Sequence, residues 1–379
     1  MSSKKTVIII LGATAVGKSE VAIKCAKKLN GEIISADSMQ IYKELNIGTA
    51  KINETEMQGI PHHLINIRNF SESYNVWDFV SDCKKKIAKI HSKKKLPIIV
   101  GGTNLYIKAL IENYDFENKP KQETLLRVEL LSIARDFGLN KLYEILKILN
   151  SEQAEKINLN DTSRILRALE CVILQENNKE KIYKVIDNLF KNKDEKLKNT
   201  LINLIQKITI QQQNKEDFQE NKSQSQTSFG EISEKLTINF SCLKNGNFVE
   251  KKEVENQNND YDFRLYALSL PRDLLYERIN KRVDLMLKKG LLDEVKNLKN
   301  QGLNLEMQAG KSIGYKEFLK FLDDEISYDF AVEKIKQHSR NYAKRQLTWL
   351  RSMKEITWLD ALNKNKAVEL IVNENKIKD

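Results

Sequence analysis

Gly12-Ala13-Thr14-Ala15-Val16-Gly17-Lys18-Ser19 is the stretch whose reading decides the fold of this chain. The eight residues fit G-x-x-x-x-G-K-[ST], a glycine-rich loop whose backbone N–H groups close around a phosphate. The flanks supply the context that the motif requires. Val7-Ile8-Ile9-Ile10-Leu11 is a continuous apolar run rich in β-branched residues, the pattern of a strand buried on both faces. Glu20 to Leu29 follows, with Val21, Ala22, Cys25, Ala26 and Leu29 on one helical face. Strand, glycine turn and helix predict an α/β fold, a P-loop core with a parallel sheet. In such a loop Lys18 reaches the distal phosphate, Ser19 ligands a magnesium ion, and the helix N-terminus adds a field that favours an anion. The loop signals a polyphosphate without saying which one.

Working outward, Gly31-Glu32-Ile33-Ile34-Ser35-Ala36-Asp37-Ser38-Met39-Gln40 predicts a second short strand over Glu32 to Ser35. Asp37 then lies just past its carboxyl end, where open α/β sheets bind ligands. Asp-Ser is also ordinary turn or cap chemistry. Beside a phosphate loop, the carboxylate becomes a candidate base or metal partner. Ile47-Gly48-Thr49-Ala50-Lys51 reads as a loop. His62 and His63 are adjacent, so in an extended chain they point to opposite sides and predict structural roles, not a shared metal. Val76 to Ile90 predicts an amphipathic helix. Pro97 to Val100 predicts another buried strand, ending in Gly101-Gly102-Thr103. Kinases and nucleotide hydrolases of this fold often carry an acid there for magnesium. Here two glycines allow close backbone approach and Thr103 offers a neutral hydroxyl.

Beyond Ile111 the strand pattern stops. Thr124 to Arg135 and Lys141 to Leu149 predict helices, and Asp161 is placed to cap a third that runs to Glu170 with Arg164 and Arg167 on one face. These mark an α-helical insertion domain, residues 117–262, between core parts 1–116 and 263–379. Within it, residues 178–228 are rich in Gln, Asn, Ser and Lys, and beyond one short helix over Leu201 to Ile210 the segment holds too little apolar surface to order itself. Residues 243–261 are a second polar run. The core resumes with a strand over Phe263 to Leu270 and a helix opened by Pro271-Arg272-Asp273, with Arg278 and Arg282 at i, i+4. Another helix opens at Gly290. A long helix over Tyr328 to Arg351 carries Lys334, Lys336, Arg340, Lys344, Arg345 and Arg351, with Tyr342, Trp349 and Trp358 interleaved. Basic residues with aromatics suit a phosphate backbone and unstacked bases; a plain basic surface helix carries the same residues.

A net charge of +11 on 379 residues points to a polyanionic partner, nucleic acid first, although Lys and Asn are abundant along the whole chain. Four scattered cysteines with no C-x-x-C spacing predict no zinc site. No long apolar segment is present, so no membrane span is expected. Met1 to Lys5 lead directly into the first strand and leave no room for a cleavable signal, so a cytosolic protein is expected.

Together these residues resemble the tRNA dimethylallyltransferase family, which prenylates the adenine 3′ of the anticodon. The matching stretches are Gly12 to Ser19, Gly31 to Tyr42 with Ile47 to Lys51, Pro61 to Leu64, Gly101 to Tyr106, Asp161 to Glu170, Pro271 to Glu294, Gly314 to Glu317 and Ser339 to Arg351. They span nearly the whole chain in the family's order. Ser339 departs from the family's usual Thr, and the polar runs at 178–228 and 243–261 are longer than the pattern. Gly230-Glu231-Ile232-Ser233-Glu234 matches the family's Gly-x-x-Ser-Glu after the first run.

The resemblance implies transfer of a dimethylallyl group from dimethylallyl diphosphate to adenine N6, with release of pyrophosphate and with Mg2+ on Ser19. It implies diphosphate binding by Gly12, Ala13, Thr14, Ala15, Val16, Gly17, Lys18, Ser19 and Arg272, with Arg278 and Arg282 as alternatives to Arg272. Asp37 and Thr103 become the catalytic pair. The tRNA contacts become Asp37, Ser38, Met39, Gln40, Thr103, Arg127, Ser163, Arg164, Arg167, Arg340, Lys344 and Arg345, with Tyr315 as a stacking partner for a base. The expected partners are the tRNA anticodon stem-loop and dimethylallyl diphosphate, on a monomer. A P-loop small-molecule kinase would share the loop and Asp37 without needing the basic helix. A non-catalytic RNA-binding protein on this fold would not need intact Lys18, Ser19, Asp37 and Thr103.

Overall fold

The computed structural model of the chain describes residues 4–113, 124–175, 179–190, 194–224 and 261–376. The chain divides into two units, Met1–Tyr114 with Val249–Asp379, and Asp115–Phe248. The first unit is built on β1 (Lys5–Gly12), β2 (Gly31–Ala36), β3 (His62–His63), β4 (Leu96–Gly101), β5 (Tyr261–Ser269) and β6 (Ile356–Asp360). They form one sheet in the order β3-β2-β4-β1-β5-β6, and every neighbouring pair is parallel. Ile8 to Ile10 pair with Ile98 to Val100 on one side and with Arg264 to Tyr266 on the other. Val7 to Leu11 are therefore fully buried, as a continuous aliphatic run requires. α1 (Lys18–Lys28) packs Val21, Ala22, Cys25 and Ala26 into the core of this sheet. α2 (Glu54–Met57) is one turn. α3 (Val76–Ser92) starts on a capping box of Asn75 and Asp78, and its Phe79 stacks at 4.5 Å on Tyr106 of α4 (Asn104–Ile111).

The second unit is helical throughout its described residues: α5 (Thr124–Phe137), α6 (Leu139–Leu149), α7 (Ser151–Glu155), α8 (Thr162–Ile173), α9 (Lys179–Phe190) and α10 (Glu195–Gln224). Asp161 caps α8 as expected, accepting from the Arg164 N–H at 3.1 Å. The expected disorder over 178–228 is corrected here, because α9 and α10 run through most of that segment. Ile182, Val185, Ile186 and Phe190, then Leu197, Leu201, Leu204, Ile205 and Ile208, recur at helical spacing and are buried in this unit's core. Average composition hid a periodic stripe. The Gln-rich continuation to Gln224 consists largely of good helix formers, which permits a helix with a single aromatic residue, Phe218. The remainder of that run, Gly230 to Glu234 and residues 243–260 lie outside the described residues, while the expected domain boundary at 262 falls inside β5.

Returning to the first unit, α11 (Arg272–Lys288) leaves β5, followed by α12 (Leu291–Asn300), α13 (Tyr315–Leu322), α14 (Tyr328–Ser352) and α15 (Lys364–Asn375). α14 lies against α4, α11, α13 and β1. β6 and α15 were not anticipated. Trp358 belongs to β6 and not to the basic helix, and it is 41% exposed on the sheet edge. α15 buries Ala367, Val368, Ile371 and Val372 in the sheet's core beside α1. His62 and His63 serve separate partners, the Ile60 carbonyl at 2.8 Å and the Glu32 carboxylate at 2.7 Å. No described helix is long and apolar enough to cross a membrane.

Candidate active site

Four strands of a parallel sheet deliver their carboxyl ends to one edge, and the site forms there. β1 ends in the glycine loop. Gly12 sits at φ 145°, and a Cβ there would lie 2.8 Å from the Leu268 carbonyl oxygen, so only glycine lets the loop turn beside β5. Lys18 folds back over the loop and donates to the Gly12 and Ala13 carbonyls at 2.9 and 2.7 Å. Burial first, and the Arg282 guanidinium second, pull its pKa down to about 7 against the opposing charge of Asp37. Ser19 is exposed in the first turn of α1. Among the described residues no group of three or more His, Cys, Asp or Glu side chains is placed to hold a metal ion.

β2 ends at Asp37. Its Oδ1 accepts from the Met39 and Gln40 N–H groups at 2.9 and 3.3 Å, so the turn role is real. The same residue also lines the main cavity, so the two roles coexist. β4 ends at Gly101-Gly102-Thr103. The Thr103 N–H donates to the Ala36 carbonyl at 3.2 Å, and its Oγ1 accepts from the Ser38 N–H at 3.1 Å. Thr103 thus pins the chain on both sides of Asp37. From α14, Gln346 accepts from the Thr14 N–H at 2.9 Å and donates to the Gly102 carbonyl at 2.8 Å. A Cβ on Gly102 would come within 2.2 Å of that donating nitrogen. Gln346 therefore ties the phosphate loop to the end of β4 and explains why a glycine is needed at position 102.

The cavity at this edge measures about 310 Å³. Thr14, Asp37, Arg282 and Tyr342 supply polar groups, while Ile279, Val283, Met286, Ile313 and Ile335 supply an apolar wall. Ser38, Met39, Ser339 and Arg345 also line it. Gln40 lies beside it, donating to the Thr49 carbonyl at 3.3 Å. Arg282 donates to the same carbonyl at 3.3 Å; burial lowers its pKa and Asp37 raises it, and a guanidinium in this range stays charged.

Four expected residues lie away from the cavity or are engaged by the chain itself. Arg272 is exposed, over the Tyr276 ring at 5.1 Å and away from the cavity, which Arg282 lines instead. Tyr315 is fully buried with its hydroxyl on Glu294 at 2.5 Å, which closes it to a stacked base. Arg340 is held by Asn280 at 2.8 Å and Glu333 at 3.1 Å. Arg127, in the helical unit, is engaged with the buried Glu170 at 2.9 Å and with Ser163. Arg167 reaches the other Glu170 oxygen at 3.1 Å, while Arg164 is exposed beside Asp161. On α14, Lys344 and Arg345 are exposed, and among the described residues no carboxylate pairs with either; Arg345 lies 5.8 Å from the Tyr342 ring centre.

Tyr342, Ser339 and Gln346 are not assigned to the site by the sequence, and Arg282 stands there only as an alternative to Arg272. Ile279, Arg282, Val283 and Met286 fall at i, i+3, i+4 and i+7 and share the cavity face of α11; Arg272 falls on the same stripe but at the first residue of the helix, outside the cavity lining. Ile335, Ser339, Tyr342 and Gln346 likewise share one face of α14.

An α/β enzyme core with a phosphate loop at its strand ends is the class that this geometry defines. The sequence model of the family described as IPP transferase matches residues 40–353. A tRNA dimethylallyltransferase of Bacillus anthracis is 35% identical over 368 residues, covering 97% of this chain and 95% of the relative. Among solved structures, the tRNA isopentenylpyrophosphate transferase of Bacillus halodurans aligns over 98% of this chain and 95% of its own, at 32% identity and a TM-score of 0.59. A eukaryotic dimethylallyltransferase acting on tRNA aligns over 99% of this chain and 81% of its own, at 27% identity and a TM-score of 0.63. The chain belongs to the IPP transferase family.

Proposed function

We propose that this chain transfers a dimethylallyl group from dimethylallyl diphosphate to N6 of the adenine 3′ of the anticodon in tRNA, releasing pyrophosphate. The observation that carries the reading is one cavity that holds Thr14 of the phosphate loop, the desolvated Arg282 and the Asp37 carboxylate against an apolar wall. A diphosphate matches the first two, a five-carbon prenyl group matches the wall, and an amine nucleophile matches the carboxylate.

The chemistry then follows from the residues. The adenine leaves its stack to reach a strand-end cavity. Asp37, fixed in its turn by the Met39 and Gln40 amides, accepts a proton from N6 as the N6–carbon bond forms. The carbon–oxygen bond to the diphosphate breaks, and its electron pair leaves on pyrophosphate. Charge grows on that leaving group; Arg282 faces it from the cavity wall, and Lys18 and the loop amides exchange their contacts within the chain for phosphate oxygens. Thr103 holds Ser38 through its oxygen and also hydrogen-bonds to the Tyr342 side chain, which sets its hydroxyl at the cavity edge. The exposed Ser19 hydroxyl, with no acidic cluster near it, fits a magnesium ion carried mainly by substrate oxygens. When bound, that ion supplies further neutralising charge to the diphosphate. Lys344 and Arg345, exposed on α14 with no carboxylate partner among the described residues, take phosphates of the RNA.

The test is incubation of the purified full chain with radiolabelled dimethylallyl diphosphate and bulk tRNA. The expected result is label in tRNA with equimolar pyrophosphate. ATP turnover without labelled tRNA would put a kinase in its place. Binding of tRNA with neither label nor pyrophosphate would leave an RNA-binding protein.

A further inference from the structure

Glu294 stands in the first turn of α12, and the reaction just described gives it no role. Its carboxylate accepts from three consecutive backbone N–H groups of the loop after β2. Asn46 donates to Oε2 at 3.1 Å, Ile47 to Oε2 at 2.8 Å and to Oε1 at 3.1 Å, and Gly48 to Oε1 at 3.1 Å. The buried Tyr315 hydroxyl adds a fourth donor on Oε1 at 2.5 Å. Successive N–H groups turned inward form an anion-binding concavity, and here a side-chain carboxylate from another element fills it. Such charge-assisted bonds are roughly twice as strong as neutral ones. The fit is close: a Cβ on Gly48 would lie 2.4 Å from a ring carbon of Tyr315.

The other side of the loop is fastened too. Lys51 donates to the Tyr42 carbonyl at 2.5 Å, to Asn46 Oδ1 at 2.9 Å and to Asn66 Oδ1 at 2.7 Å. Between the two anchors stands Thr49, whose carbonyl receives Arg282 at 3.3 Å and whose residue lines the cavity. A long guanidinium side chain in an apolar wall needs such an acceptor to hold one orientation.

We infer that Glu294 is a positioning residue for diphosphate binding: it sets the 46–49 loop so that the Thr49 carbonyl holds Arg282 at the cavity. The inference rests on the proposed role of Arg282 at the diphosphate. Glutamine keeps the shape of Glu294 but leaves one acceptor oxygen and turns an NH2 group toward the loop amides.

The experiment is a double-mutant cycle on the full chain, reading dimethylallyl diphosphate affinity by calorimetry without tRNA. Glu294→Gln is expected to weaken that affinity by about 10- to 100-fold, the scale on which loss of an orienting partner acts. Affinity for tRNA stays within about twofold on the same reasoning. In an Arg282→Ala background, Glu294→Gln should add almost nothing, because the group that it positions is gone. Tyr315→Phe, which spares the three amide contacts, should bind the diphosphate nearly as the parent does. If Glu294→Gln does not fold, Glu294→Asp takes its place in the same cycle, since it keeps the charge and shortens the reach. Unchanged affinity in Arg282→Ala alone would overturn the site reading and this inference with it. A loss in Arg282→Ala with none in the Glu294 variants, or losses that multiply in the double variant, would overturn the positioning role alone.

Discussion

The two ends of the parallel sheet both bury charge, and they treat it in opposite ways. At the amino end, Glu32 is 1% exposed and surrounded by His63 at 2.7 Å, Lys95 at 3.0 Å and Lys93 at 3.2 Å. Every partner that the carboxylate needs is supplied by the chain itself. At the carboxyl end, Lys18 and Arg282 are desolvated, and among the described residues neither forms an ion pair with a carboxylate. Lys18 makes do with carbonyls of its own loop. Charge that the protein has already satisfied is structure, and charge left to be satisfied by something else marks the site. The same rule sorts the arginines of the helical unit. Arg127 is spent on a fully buried Glu170, whereas Arg164 meets Asp161 at 3.4 Å at the surface, where solvent screens the pair.

That contrast can be broken by substitution. Arg282→Ala is expected to lower turnover by about 10²–10³-fold, the cost of removing one preorganised donor to developing charge. Arg272→Ala, outside the cavity, should leave turnover within about twofold, as exposed substitutions usually do. Steady-state rates with tRNA and dimethylallyl diphosphate distinguish the two. Equal losses would mean that exposure does not separate site from surface here.

The depressed Lys18 pKa sharpens the comparison through pH. Below about 7 the ammonium is present in the free protein; above it, the free protein must take up a proton to meet a diphosphate. Diphosphate affinity is therefore expected to fall as pH rises through 7, by up to about tenfold per unit. Calorimetry in buffers of different ionisation enthalpy should show proton uptake approaching one per site at pH 8 and little at pH 6. The sign for stability is the reverse. Because the unfolded chain holds this proton up to the ordinary value of 10.5, the group adds stability as pH rises from about 7 toward 10.5. An uptake that does not change with pH would place the Lys18 pKa elsewhere.

The smallest effect belongs to the satisfied end. Glu32→Gln is expected to lower stability by about 1–3 kcal/mol, because His63 and two half-exposed lysines lose a shared acceptor. Turnover per folded molecule should not change. A chemical melt beside an activity measurement checks both, and a lost rate with an intact fold would make this end part of the site.

Much of this was legible in the sequence, because the determining signals are local. An aliphatic run, a glycine loop with Lys18 and Ser19, and Asp37 at a strand end need only a few neighbouring residues to be read. β6 and α15 were missed because a short edge strand and a mildly amphipathic helix give weak local patterns. The helix over Lys179–Phe190, and the extent of Glu195–Gln224 beyond the expected Leu201 to Ile210, are hidden for another reason: polar composition masks the spacing of nine aliphatic and aromatic positions. Helical periodicity leaves Arg272 and Arg282 on one face of α11; which of them reaches the cavity depends on where along the helix the cavity sits, which the sequence does not show. Tyr315 and Glu294 were not legible either, since their partners lie in a loop that is hundreds of residues away along the chain. Gln346, which meets Thr14 and Gly102, is of the same kind.

Asp37 carries the central claim, since it is at once a turn residue and the proposed base. Asp37→Asn keeps an acceptor oxygen for the Met39 and Gln40 amides, so the turn survives while the proton acceptor is lost. Single-turnover prenylation of an anticodon stem-loop, run beside a thermal melt, separates the roles. A normal melt, retained diphosphate binding and a rate reduced by about 10²–10⁴-fold is the predicted result. A variant that melts early yet turns over normally per folded molecule would reduce Asp37 to a turn residue and contradict the account.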